Sequence, residues 1–165
     1  MKRIKVINDA TDFACLFRVV DTPVKKEVLR EVTEAWRSEE EIREKYGEEG
    51  VKALQFFEKM RIVETRWQVS SGGRTGKVYR TFYSSFHINT SCPITDIGDI
   101  LTVAMMDDKE FEKHEKKVYD LVGDKGMFVG DVAETLNINN TFLRSIVKRS
   151  TKLEQRGHRI CRVRD

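Results

Sequence analysis

Apolar positions along the first third of the chain recur at helical spacing. Val24, Val28, Leu29 and Val32 fall at i, i+4, i+5 and i+8, which puts one apolar stripe on a helix that opens at Thr22-Pro23. Proline belongs at the first helical position, where its missing N–H costs nothing. Before it, residues 9–20 carry Phe13, Leu16 and Phe17 and predict a further helix. Ser38 precedes Glu41 by three residues, a capping box for a short helix ending at Gly47, and Val51, Ala53, Leu54, Phe56, Phe57 and Met60 give a third helix a broad buried face.

After Ile62-Val63 the period shortens to two. Thr65, Trp67 and Val69 share one side of a strand and Arg66 and Gln68 the other, and residues 78–88 alternate again. The turn-rich stretch 70–77 between them predicts a hairpin with a long basic tip. Helical spacing then resumes, with a helix capped by Thr95, a charged helix beyond Asp107-Asp108, a break at residues 123–126, a short helix at 129–136, and a long basic helix from Asn140 to Gln155 ended by Gly157. The tail 158–164 alternates as a last short strand. The expected class is α+β, mostly helical. Its domains are a winged helix-turn-helix over residues 1–90, a linking helix over 91–107 and a second helix-turn-helix domain over 108–165.

Charge alters this picture more than composition does. Of 165 residues 35% are charged and the net charge is only +3, yet residues 140–165 alone carry +6. A basic segment of that kind is the footprint of a polyanion partner. Running into it, Ala133, Asn137, Leu143 and Ile146 hold the spacing of a helix-turn-helix: a small residue where helices cross, a turn residue that tolerates left-handed backbone, and two buried positions. On that reading Asn139, Asn140, Thr141 and Arg144 face base edges, and Lys148, Arg149 and Lys152 face phosphates. In the first unit, Lys52 and Gln55 are the helical candidates, behind Glu48 and Glu49, whose carboxylates repel phosphate; Arg66, Arg74, Lys77 and Arg80 are the hairpin candidates.

The segment 20–29 and the segment Phe57-Glu58-Lys59-Met60-Arg61-Ile62-Val63-Glu64 resemble the first-helix start and the turn into the wing of ArsR-like winged-helix regulators, over about residues 9–88. The resemblance implies a homodimer that binds operator DNA, with the third helix in the major groove and the hairpin over the adjacent backbone or minor groove. Arg61 stands where the pattern has glycine, and the cysteine pair by which such regulators hold metal is absent.

Other classes find less support. His87, His114 and His158 lie in no HExxH, CxxC or Gly-x-Ser-x-Gly context, and residues 72–77 lack the phosphate-loop spacing, so neither catalytic residue, metal site nor cofactor is expected. Cys15, Cys92 and Cys161 are too scattered for a disulfide framework. No apolar run reaches the ~20 residues of a membrane span, and the start Met1-Lys2-Arg3-Ile4-Lys5 has no apolar region behind it, so a cytoplasmic location is expected. The expected function is sequence-specific duplex DNA binding in transcriptional control. A protein-interaction adaptor and an RNA binder are the alternatives, and no effector is legible.

Overall fold

The computed structural model describes residues 3–164. In chain order these form β1 (Ile4–Ile7), a 3-10 turn (Ala10–Asp12), α1 (Phe13–Leu16), α2 (Pro23–Glu34), β2 (Arg37–Ser38), α3 (Glu39–Lys59), β3 (Val63–Val69), β4 (Thr75–Thr81) and β5 (Ser85–Ile88). There follow α4 (Ile94–Met105), α5 (Asp108–Val122), β6 (Met127–Phe128), α6 (Val129–Leu136), α7 (Asn140–Arg149), β7 (Leu153–Arg156) and β8 (Arg159–Arg162). Packing sorts them into two units: residues up to Val6 with Val19–Ile88, and Ile7–Arg18 with the chain from Asn89 onward. Thus residues 7–18, and α4 where a linker was expected, both pack with the C-terminal elements.

In the first unit the Thr22 hydroxyl accepts from the Lys25 amide, and Ser38 and Glu41 exchange both bonds of the capping box. Gly47, at φ 63° and ψ −156°, breaks α3 into two helices, since that backbone suits glycine alone. Gly50 lets the halves cross closely: a Cβ there would lie 2.8 Å from Ile42 Cγ2 and 2.7 Å from Tyr46 Cβ. Val28, Val32, Ile42, Leu54 and Phe57 are fully enclosed beneath. Buried Glu31 binds Lys45 at 2.8 Å and Arg37 at 2.7 Å, fastening α2 to α3 and β2. The sheet runs β2-β4-β3, with Thr65 opposite Tyr79 and Trp67 opposite Lys77.

The strand expected over residues 78–88 is two strands. β4 starts earlier, at Thr75, and stops at Thr81, after which the Phe82 amide donates to Ile62 O and the Ser84 amide to Arg3 O. Those bonds turn the chain away, and β5 pairs with β1 instead. The first predicted helix, residues 9–20, is likewise only the 3-10 turn and α1.

The second unit repeats the order of the first. α5, β6, α6, α7 and the β7–β8 hairpin follow one another as α2, β2, the halves of α3 and β3–β4 do, and its sheet β6-β8-β7 matches β2-β4-β3. Asn137 takes the left-handed conformation its place in the turn asks for, φ 51° and ψ 48°, while Leu143 and Ile146 are fully buried. Two expectations fail here. Pro93, not Thr95, precedes α4, and no side chain caps it. The basic helix stops at Arg149 rather than Gln155, because buried Ser150 Oγ accepts from the amides of Lys152 and Leu153, both at 3.0 Å, and donates to Glu115. Leu153 then joins Ile160 in the core, and Gly157, at φ 58°, is a hairpin turn instead of a helix end. No helix among the described residues is long and apolar enough to cross a membrane.

Candidate nucleic-acid interface

Of the residues singled out for DNA, Asn139 caps α7, Arg149 ends it and Lys152 lies beyond it, while Thr141, Arg144 and Lys148, spaced three, four and seven apart, share one side. That side is covered from within its own unit. Asn139 caps the helix by accepting from the Phe142 amide and donates to Asp99 at 2.9 Å, and the Thr141 hydroxyl donates to Asp96 at 3.1 Å. Arg144 pairs with Asp9 and Lys148 with Asp12, each at 2.7 Å. Arg149 is buried, donates to the carbonyls of Val103 and Met106 and to Asp108, and stacks on Phe111 with its guanidinium carbon 4.2 Å from the ring centre. Lys152 reaches Glu115 at 3.2 Å, and Asn140 is exposed.

Burial works against ionising Asp9, yet bonds from the Thr11 hydroxyl and amide and the charges of Arg144 and Lys148 outweigh it and hold its pKa below the ordinary carboxylate value. Three further arginines of the basic tail are also engaged. Arg156 pairs with Glu154, Arg159 donates to Gly126 O, and Arg162 reaches Asp124 and Tyr119 O. Taken by unit, the charge ranking inverts. The first unit has 16 basic and 12 acidic residues and the second 14 and 15, so the excess sits with the first, at +4 against −1.

The first unit presents an open surface. Lys52 and Gln55 are exposed on the second half of α3. Glu48, ahead of them, is held by Arg43 at 2.9 Å, and Arg43 also binds Glu39, so part of the repulsion expected from Glu48 and Glu49 is offset. On the hairpin Arg74 and Arg80 are exposed, while the Arg66 guanidinium lies 4.1 Å over the Trp36 ring, which fixes its direction. Lys77 is tied to Glu58 of α3 and sits over Tyr79, whose hydroxyl pKa is pushed up to about 12 by burial, with Glu58 and Glu39 adding to it. Residues 61–80 hold five basic residues against Glu64.

Two features escape a reading of the sequence. The aspartates that cover α7 lie up to 136 residues from their partners, as Asp12 does from Lys148, a separation that no local spacing encodes. Trp67 is placed on a strand by its alternation, yet only the fold shows it to be 72% exposed.

Comparison with known proteins gives one family. The model described as ArsR transcriptional regulator matches residues 7–164, well beyond the stretch 9–88 over which the motifs resemble it. No curated protein matches the chain.

Proposed function

The chain belongs to the ArsR transcriptional regulator family, and from that premise we propose that it regulates transcription by binding duplex DNA through its first unit. In this reading both units are winged helix-turn-helix modules, and the first does the binding. The second half of α3 enters the major groove with Lys52 and Gln55, and Arg66, Arg74 and Arg80 of the β3–β4 hairpin grip the flanking backbone. The observation that carries it is the contrast between the two helices: α3 leaves its polar side to solvent, whereas Asp9, Asp12, Asp96, Asp99 and Asp108 occupy the polar side of α7. Arg144, Lys148 and Arg149 then hold the second unit together, and Lys77 braces the hairpin on α3.

The second unit supplies the contact between two copies. Ile94 and Met105 of α4 are 88% and 80% exposed, with Leu101 between them and Phe17 also bare, an apolar set that a second chain would cover. A homodimer also suits a two-fold operator.

A mobility-shift titration against random duplex, single-stranded DNA and RNA tests the function, followed by selection of preferred duplexes. Duplex binding is expected to dominate, and Lys52→Ala with Gln55→Ala to change the selected sequence. Preference for RNA, or no nucleic acid bound at low salt, would overturn the reading in favour of an RNA binder or an adaptor.

A further inference from the structure

Trp67 is an anomaly for a hairpin. An indole is among the most costly side chains to leave in water, and a solvated hairpin face is ordinarily filled with polar residues. Here Trp67 is 72% exposed and its neighbour on the same face, Val69, is 63% exposed. The face is known from its partners. Lys77 stands directly opposite Trp67 and bonds Glu58, so the row of Thr65, Trp67 and Val69 lies on the α3 side of the sheet. The same side carries the exposed helix assigned to DNA. On its own face the indole has Lys77 directly opposite, Arg74 stands at the hairpin tip, and Arg66 and Arg80 lie on the reverse face of the same hairpin, with Glu64 as the one acid between residues 61 and 80. A bare aromatic on a hairpin that carries cations at its tip and on both faces matches a partner that is a polyanion outside and stacked rings inside.

We infer that Trp67, backed by Val69, is an apolar wedge that enters the minor groove of duplex DNA beside the α3 contact and partly unstacks one base step. The inference rests on the duplex-binding reading above and adds to it the group that deforms the DNA. The arginines neutralise phosphates along the groove rim, and the indole contributes stacking that no charged residue can. Steps that unstack readily, pyrimidine followed by purine, are therefore favoured at the position under Trp67, which makes the residue a source of indirect sequence preference.

The full chain, titrated by fluorescence anisotropy against a labelled random duplex at low salt, separates the possibilities. Trp67→Ala is expected to weaken binding roughly 10-fold or more and Trp67→Phe to restore most of it, with the melting temperature unchanged because the side chain is exposed. In a Trp36→Phe background, which leaves Trp67 as the sole indole, its emission should be quenched on adding duplex, and end-to-end energy transfer should report a bend that Trp67→Ala abolishes. If Trp67→Ala binds as the parent does while Arg74→Ala weakens binding, the wedge is wrong and the duplex reading stands. If the parent binds no duplex at all, both fall. If Trp67→Ala instead lowers the sedimenting mass, the indole belongs to a contact between copies and the wedge is overturned.

Discussion

Arg61 holds left-handed backbone, φ 54°, at the position just past α3, where the Ile62 amide donates to Phe57 O and closes the helix. A residue with a Cβ costs about 1–2 kcal/mol there, and glycine loses roughly half of that gain through its freer unfolded chain. Arg61→Gly is therefore expected to raise stability by about 0.5–1 kcal/mol in urea unfolding; a loss would show that the Arg61 side chain makes up for its backbone. Asp9 gives a pH dependence of known sign. Its folded pKa is lowered below 3.8, so the stability it contributes is present above that value and drains away as pH falls through the folded one. Asp9→Asn should flatten the acid limb of the melting-temperature profile below about pH 4. An unchanged limb would mean that the pair with Arg144 is too well solvated to matter.

At the scale of elements, the angle between the halves of α3 depends on Gly50. A methyl there meets Tyr46 Cβ at 2.7 Å, and Cβ atoms cannot move without the backbone. Gly50→Ala should cost roughly 1–3 kcal/mol by overpacking and should weaken DNA binding by tilting Lys52 and Gln55; full stability would show that the crossing is loose. Elements were also where local pattern read best. Thr22, the Ser38–Glu41 box, Gly47 and Asn137 all mark boundaries the fold respects, because caps and turns are chemistry between near neighbours. Pattern failed where tertiary bonds decide. Alternation through residues 78–88 does not reveal that Phe82–Ser84 is bent by Ile62 and Arg3, and helical spacing through 150–155 does not reveal Ser150 turning the chain into β7.

The whole molecule separates charge that is present from charge that is available. The +6 of residues 140–165 is legible at once in the sequence, yet it is largely answered by carboxylates and carbonyls of its own unit, several from 33 to 136 residues away. The repeated order of elements is equally hidden, since the units share topology rather than motifs. What remains open is the +4 unit with its bare hairpin and the apolar side of α4. Sedimentation at micromolar concentration should accordingly give a two-chain mass, and Ile94→Glu with Met105→Glu a single-chain mass with the fold intact; a monomeric parent would dispose of the α4 contact. The central claim, that DNA is gripped by the first unit and not by α7, is tested most directly by the salt dependence of duplex affinity. Arg74→Ala with Arg80→Ala should lower the log–log slope by about 2, and Arg144→Ala with Lys148→Ala should leave it unchanged. The reverse, a slope cut by loss of Arg144 and Lys148 and indifferent to Arg74 and Arg80, would return DNA binding to α7 and contradict the account.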